Sequence, residues 1–403
     1  MKILIINQHS WNHGDEAAGK ALIRALQRVD NRDISVLYNM SFMPEDARFN
    51  LSNVHEIYYK RAVRGLHFFL RQYLKYVYPL GIYLPILLFP RLRKDIRAIQ
   101  EADAVINAPG GVNLGPYFDV IYLWRLLMVI HFKKPLYIFS PSIGPLLPDG
   151  FFRKLSLKVL KYARFVSLRD AQSQRYAVEY GIPFIPAIDV VFSEREKAEI
   201  PVALSNLLPE NYIVIVPNQL YAWHPAFLAC PAKKMDEFYK KLIQSFTSRG
   251  ISVVLLPQLF SAASCRDEIY FKSLAADDER VIVIPDFYNS DVQQAVIRKS
   301  DFIVGARYHS IVFGINNSIP FFALSYEHKI LNMLELLNLK ELSRNLAAAL
   351  DDPSIFDEIW MVYQQRAFWK PNIEVAKRKA TEIADNAFNE LQKKLLASAD
   401  LNL

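Results

Sequence analysis

The sequence predicts an α/β protein made of two Rossmann-like domains, with parallel sheets that face each other across a cleft. Three observations lead to this prediction. The chain has 403 residues, 52% of them hydrophobic, which is enough for two ordinary cores. Short apolar runs alternate with helix-length segments, as is typical of doubly wound parallel sheets. A charged stretch at 194–201 divides this alternation into two halves.

The first half opens with a strand, a polar loop and a helix. The strand is the apolar run KILIINQ, residues 2–8, and the helix that follows keeps Ala18, Leu22 and Leu26 on one face. Further strands are predicted at 33–39, 103–111, 135–145, 165–170 and 184–192. We therefore predict a first domain over residues 1–195.

The second half repeats the pattern. Its predicted strands are 212–218, 251–257, 280–286, 301–307 and 320–326, and its predicted helices lie near 234–249, 290–299 and 309–316. We predict a second domain over 201–350. The remaining residues, 351–403, contain no strand candidate and form a predicted helical tail that can pack back on the first domain.

Cysteine content and the N-terminus both bear on the compartment. The two cysteines, Cys230 and Cys265, lie far apart and form no CxxC or Cys/His cluster, which favours a reducing environment and argues against a zinc site. The first residues lack the long apolar stretch of a signal peptide. The sequence predicts a cytoplasmic protein.

The net charge of +7 is concentrated in one segment. Residues 57–99 contain nine lysines and arginines against one acid, Asp95, interleaved with Phe, Tyr and Leu. The rest of the chain is nearly neutral, which argues against a nucleic-acid partner. The uncharged run 76–90 contains three prolines and is too short to span a bilayer. Two interpretations stay open: peripheral attachment to the anionic inner face of a membrane, or a helix pair packed on the core with a solvated basic face.

Four polar loops follow predicted strands, where open α/β sheets bind ligands. They are NHGDEA at 12–17, APGGVNLG at 108–115, SPSIGP at 140–145 with SLRD at 167–170, and GARYHS at 305–310. Glycine lets backbone amides approach an anion, and a helix N-terminus adds partial positive charge. None of the loops is GxGxxG or a Walker loop, so NAD and ATP are disfavoured.

In this order, and followed by IPFFALSYEHK, these motifs resemble the polysaccharide pyruvyl transferase family. The resemblance covers most of 1–330 except 40–100. It implies a GT-B-like fold, with the acceptor on the first domain and the donor and catalytic groups on the second. It further implies transfer of pyruvate from phosphoenolpyruvate to two hydroxyls of a sugar, as a ketal, in capsule, exopolysaccharide or cell-envelope glycan biosynthesis. The implied acceptor is a lipid-linked sugar, and no cofactor and no metal are expected.

The family's Arg-x-His element falls on Arg307 and His309. Phosphoenolpyruvate carries a phosphate and a carboxylate, both of which guanidinium groups bind bidentately, so Arg307 and Arg169 are the candidate donor ligands. Ketal formation needs a proton donor near neutrality, and His309 suits that role. The structural alternatives are a surface arginine at 307, a helix-start histidine at 309, and a salt bridge between Arg169 and Asp170.

The other candidate residues have weaker assignments. For Asp15, helix capping is favoured over substrate contact. Glu327 and Lys329 would contact acceptor or phosphate, or simply form an ion-paired loop. The complete set of candidate substrate contacts besides the arginines and His309 is Asn12, Gly14, Asp15, Gly110, Gly111, Asn113, Ser310, Glu327 and Lys329.

Two other functions remain compatible with the sequence. One is a GT-B glycosyltransferase that uses a nucleotide sugar, and the other is a non-catalytic, membrane-associated scaffold. The arginines and histidine in the loops weigh against the scaffold.

Overall fold

A computed structural model describes residues 1–9, 11–29, 32–39, 49, 51–59, 65–81, 90–146, 150–260, 266–275 and 278–400, with the side chains of 90, 91 and 398–400 left out. The chain forms two compact units. Unit 1 comprises Met1–Ser10, Ala18–Glu194 and Glu382–Leu403, and unit 2 comprises Trp11–Ala17 and Arg195–Thr381.

Unit 1 contains a seven-stranded parallel sheet. Its strands are β1 Lys2–Gln8, β2 Asp33–Tyr38, β3 Val54–Ile57, β4 Ala104–Asn107, β5 Leu136–Ile138, β6 Phe165–Leu168 and β7 Ile185–Pro186. Their order is β3-β2-β1-β4-β5-β6-β7, and Ile5 of β1 pairs with both Val36 and Ile106. The order reverses between β1 and β4, as at the switch point of a Rossmann fold.

Helices cover the sheet of unit 1 and explain its apolar strands. They are α1 His13–Val29, α2 Leu66–Gln72, α3 Pro90–Glu101, α4 Val120–His131, α5 Phe151–Tyr162 and α6 Ala171–Glu179. Leu4 and Ile6 of β1 share one core with side chains from α2, α3, α4 and α5. A parallel strand covered by helices reads as a continuous apolar run, as KILII does.

The predicted strand at 184–192 is wrong over most of its length. Only Ile185–Pro186 pairs as a strand, and Val190–Ser193 forms a 3-10 turn. The Asp189 side chain accepts a hydrogen bond from the Val191 amide at 3.1 Å. This local bond turns the backbone, so an apolar run that looks like a strand does not extend.

Unit 2 contains a six-stranded parallel sheet. Its strands are β8 Tyr212–Val216, β9 Ser252–Leu255, β10 Val281–Val283, β11 Phe302–Gly305, β12 Phe321–Ser325 and β13 Ser343–Asn345. Their order is β10-β9-β8-β11-β12-β13, with the reversal between β8 and β11. The carboxyl ends of β8 and β11 therefore mark the place where such a sheet holds a ligand.

The helices of unit 2 follow its strands in alternation. They are α7 Val202–Ser205, α8 Ala232–Thr247, α9 Asp267–Ala275, α10 Ser290–Lys299, α11 Tyr308–Asn316, α12 His328–Leu336, α13 Leu346–Ala349, α14 Ile355–Gln364 and α15 Arg366–Asp400. The end of α15 belongs to unit 1, where Phe388 packs edge-on against Phe139 with 6.3 Å between ring centres. No helix in the described part of the chain is both long and apolar enough to cross a membrane.

Candidate functional site

The loop NHGDEA is part of unit 2, although it begins helix α1 near the N-terminus. Two backbone hydrogen bonds, which together form one antiparallel bridge, hold this loop on the residues that follow β9. The His13 amide donates to the Gln258 carbonyl at 2.9 Å, and Asn12 forms an antiparallel bridge with Leu259. The Phe260 amide donates to the Trp11 carbonyl at 3.2 Å. The first turn of α1 is thereby fixed at the carboxyl edge of the unit 2 sheet.

Gly14 lies directly against the imidazole of His309. A Cβ atom placed on Gly14 would stand only 1.8 Å from His309 Nδ1, so no side chain fits between them. The Gly14 amide donates to Asn12 Oδ1 at 2.8 Å, which makes Asn12 the cap of α1. The capping role expected for Asp15 therefore belongs to Asn12, while Asp15 lies in the first turn, where its charge favours the helix dipole.

Arg307 is buried and oriented by a carboxylate. It stands at the N-cap of α11 and is only 8% exposed, so its interpretation as a surface arginine is wrong. Its Nη2 donates to Asp267 Oδ1 at 2.5 Å. The other oxygen of Asp267 accepts the Gln258 and Leu259 amides at 3.0 and 2.9 Å. The carboxylate is thus anchored by backbone and in turn fixes the guanidinium.

The Nε of Arg307 is buried and has no hydrogen-bond partner among the described residues. A buried guanidinium donor that stays unpaired costs free energy. An anionic oxygen of a ligand would satisfy it. His309 lies on the first turn of the same helix, two residues after Arg307, and a helix N-terminus itself attracts anions.

Ser310 serves the backbone of this turn. Its hydroxyl donates to the Arg307 carbonyl at 2.5 Å, and a Cβ on Gly305 would collide with it at 2.2 Å. The side chain is fully buried. Its proton is committed to the start of α11, and substrate contact by Ser310 stays a prediction.

His13 and Glu16 form a buried pair that sequence reasoning missed. His13 Nδ1 lies 2.7 Å from Glu16 Oε2, and His13 Nε2 lies 2.9 Å from the Asp286 carbonyl oxygen, to which it must donate. Glu16 Oε2 also accepts the Ser290 amide at 3.2 Å. The signal was available, since His and acid three residues apart share one helix face.

Gly110, Gly111 and Asn113 belong to unit 1, whereas His309 belongs to unit 2. Gly110 accepts the Ser142 amide at 3.1 Å, and Gly111 faces the Tyr117 ring. Asn113 Nδ2 donates to Asp119 Oδ2 at 3.1 Å. These contacts give the loop after β4 a role in the framework of unit 1.

Arg169 also belongs to unit 1, where its partner differs from the predicted one. Its Nη1 donates to Asp189 at 2.6 Å and its Nε to the Ser142 hydroxyl at 3.1 Å. Asp170 instead caps α6 by accepting the Ser173 amide at 2.8 Å. Both Arg169 and Asp189 are buried, so Arg169 has a structural role in unit 1, while donor binding by Arg169 stays a prediction.

Arg169→Ala should lower the free energy of unfolding by about 3 to 5 kcal/mol, because it leaves Asp189 charged and buried without its partner. A urea denaturation curve measures this loss. Arg175→Ala, at an exposed position of α6, is the control and should change stability by less than about 0.5 kcal/mol. A stable Arg169→Ala protein that has lost affinity for phosphoenolpyruvate would instead show that Arg169 binds the donor.

Glu327 and Lys329 form an ion pair, which was one of the two roles predicted for them. Their charged atoms lie 3.2 Å apart after β12, and Glu327 also lies 3.6 Å from His224 Nε2. The His224 ring packs edge-on against Tyr326 with 5.2 Å between centres. Throughout the described residues, no three His, Cys, Asp or Glu side chains are grouped in a way that would hold a metal.

The fold and site together define a GT-B-type α/β protein, as predicted for the fold class. Solved structures with the same fold include S. aureus MnaA with UDP, with a TM-score of 0.59, 11% identity, and coverage of 98% of this chain and 97% of that one. A UDP-GlcNAc 2-epimerase from Neisseria meningitidis has a TM-score of 0.54 and 13% identity, with coverage of 98% of this chain and 100% of that one. Trehalose 6-phosphate synthase from Burkholderia multivorans has a TM-score of 0.53 and 13% identity, with coverage of 100% of this chain and 98% of that one. At these identities the likeness shows the fold alone.

Sequence comparison gives the family. The polysaccharide pyruvyl transferase model matches residues 12–328, so the chain belongs to that family. The amylovoran biosynthesis protein AmsJ of Erwinia amylovora is 21% identical over 376 residues, which cover 87% of this chain and 89% of AmsJ. The family predicted from the sequence motifs is thereby confirmed, and the chain is a transferase of polysaccharide biosynthesis.

Gly14→Ala should lower turnover by about 10²-fold, because the new methyl group must displace the His309 ring. Helix propensity alone would make this variant more stable by up to about 1 kcal/mol. Steady-state kinetics and a melting curve separate the two effects. Normal turnover combined with a higher melting temperature would show that the position of the His309 ring against Gly14 has no role in catalysis.

Proposed function

We propose that this chain transfers pyruvate from phosphoenolpyruvate to two hydroxyls of a lipid-linked sugar, as a ketal. The product would enter a capsule, an exopolysaccharide or a cell-envelope glycan. The observation that carries the proposal is the position of Arg307 and His309, two residues apart at the start of α11, within the matched region of a pyruvyl transferase. The cysteine pattern favours the cytoplasm as the place of this reaction.

Arg307 is the proposed anion ligand. One side of its guanidinium is held by Asp267, and its Nε is left as a buried donor without a partner in the described residues. A charge-assisted hydrogen bond from this atom to a phosphate or carboxylate oxygen would offset the cost of burying it. The backbone amides at the start of α11 add partial positive charge at the same place. The donor is a substrate, so no cofactor enters the proposal.

His309 is the proposed acid. Protonation of the methylene carbon of phosphoenolpyruvate leaves a cation at C2, and a sugar hydroxyl attacks that carbon and releases its proton. Loss of inorganic phosphate regenerates a cation at C2, which the second hydroxyl attacks to close the ketal. The imidazole would deliver the first proton and can recover one from an attacking hydroxyl. The contact with Gly14 supports this role, because it shows that the ring packs closely against the first turn of α1.

A ligand panel tests the donor, with thermal shift as the first measurement. Phosphoenolpyruvate should raise the melting temperature, since a ligand that binds only the folded state stabilises it. Nucleotide sugars form the comparison arm. A shift with a nucleotide sugar and none with phosphoenolpyruvate would replace this proposal with a glycosyltransferase.

Release of inorganic phosphate tests the reaction itself. The protein is incubated with phosphoenolpyruvate and a panel of lipid-linked sugars, and each productive acceptor should gain the mass of a pyruvate ketal. Phosphate release without any acceptor, or acceptor modification without phosphate release, contradicts the proposed chemistry.

A further inference from the structure

The helical stretch 66–80 in unit 1 has two faces of opposite character. It consists of α2, a π turn at Tyr73–Val77 and a 3-10 turn at Tyr78–Leu80. One face is buried in the unit 1 core and consists of Leu66, Leu70, Tyr73, Leu74 and Tyr78. This face accounts for the folding of the stretch, and confirms packing on the core as one part of its role.

The opposite face presents large apolar side chains to solvent. Phe68, Tyr76 and Leu80 are 68%, 57% and 71% exposed. None of the three belongs to the buried face, and all lie within one short helical stretch. Scattered exposed apolar residues are ordinary, but three large ones on one short stretch give a surface of the kind that binds a partner.

Basic residues lie between these apolar side chains. Arg71 and Lys75 are both exposed, and Lys75 Nζ lies 4.8 Å from the centre of the Tyr76 ring. We call Phe68, Arg71, Lys75, Tyr76 and Leu80 the 68–80 face. Cations beside aromatic and aliphatic side chains are typical of elements that lie in a membrane interface.

The single acid of residues 57–99 does not offset this charge. Asp95 is 1% exposed and receives a hydrogen bond from Arg125 Nε at 2.8 Å, deep in unit 1. Burial raises the pKa of Asp95, against the effect of the guanidinium. Every exposed charge of this segment within the described residues is therefore positive, including Arg93, Lys94 and Arg97 of α3. Lys60, Arg61, Arg64 and the Arg91 side chain lie outside the described residues.

We propose that the 68–80 face docks unit 1 on an anionic lipid surface. Phe68, Tyr76 and Leu80 would enter the interface, while Arg71 and Lys75 lie beside the headgroup phosphates. Positive charge selects an anionic partner, and the aliphatic Leu80 favours lipid over nucleic acid, whose bases stack on rings. This inference does not rest on the proposed reaction, since it uses no residue assigned to it.

Vesicle sedimentation tests the proposal with the full-length protein. Binding to phosphatidylcholine vesicles that contain phosphatidylglycerol should exceed binding to phosphatidylcholine alone, and should fall as salt is added. Arg71→Glu with Lys75→Glu should lower the partition coefficient about tenfold or more. Phe68→Ser with Leu80→Ser should lower it by about the same factor, because these side chains enter the interface.

A charge-matched control comes from unit 2. Lys240→Glu with Lys241→Glu, at exposed positions of α8, changes the net charge equally and should leave vesicle binding unchanged. Circular dichroism checks that each variant is folded. The proposal fails if both vesicle types sediment equal amounts of protein, or if the Phe68 and Leu80 variant binds like the wild type. Equal charge-dependent binding to double-stranded DNA would assign the face to nucleic acid instead.

Discussion

Replacing His309 with alanine should lower turnover by about 10²-fold or more while phosphoenolpyruvate affinity stays close to that of the wild type. The proposed role is proton delivery, which acts in the transition state and contributes little to binding of the ground state. Turnover is measured as phosphate release with a saturating acceptor, and affinity by calorimetric titration of the donor.

The control for this variant is His55→Ala, which removes an exposed imidazole from β3 in unit 1. It should leave both turnover and affinity unchanged. Near wild-type turnover of the His309 variant would remove His309 from the reaction. Loss of donor affinity with normal turnover at saturation would make it a binding residue.

Arg307→Ala should weaken phosphoenolpyruvate binding by about 2 kcal/mol or more, which is roughly a 30-fold higher Kd. The guanidinium is the proposed partner of an anionic group, and lysine should rescue affinity only in part because it lacks the planar fork. Titration of the donor into the folded variant measures the effect.

Stability must be followed in the same variant. Removal of Arg307 leaves Asp267 buried without its cation, which costs about 3 to 5 kcal/mol in similar cases. Arg307→Lys keeps a positive charge and provides a second measurement if the alanine variant unfolds. Arg344→Ala, which removes a half-exposed arginine that pairs with Glu358, should change neither property much. Unchanged donor affinity in both Arg307 variants would place the donor site elsewhere.

The fold class was predictable because parallel strands covered by helices are continuous apolar runs. Those runs identified β1 and β8 almost to the residue. The strands β3 and β13 were missed because their sequences, VHEI and SRN, are short and largely polar, so the apolar pattern gives no signal. The apolar run at 184–192 was misassigned because the Asp189 side chain accepts a hydrogen bond from the Val191 amide, which turns the backbone there.

For the candidate site, the sequence predicted the residues within local motifs but not their partners elsewhere in the chain. The loop sequences pointed to Arg307 and His309, but each has a partner far away in the chain. Asp267 lies 40 residues before Arg307, and Gly14 lies 295 residues before His309, which it contacts. Only the fold brings such pairs together, so their contacts cannot be read from local patterns. The same holds for Arg169, whose partner Asp189 is 20 residues away.

The membership of Trp11–Ala17 in unit 2 has a consequence for synthesis on the ribosome. The ribosome makes this loop hundreds of residues before its partners Gln258, Asp286, Ser290 and His309. At elongation rates of about 5 to 20 residues per second, the loop waits about 15 to 60 s before the last of them exists. Nascent chains halted before residue 309 should therefore lack protease resistance in this loop, because the imidazole that contacts Gly14 has not yet been made.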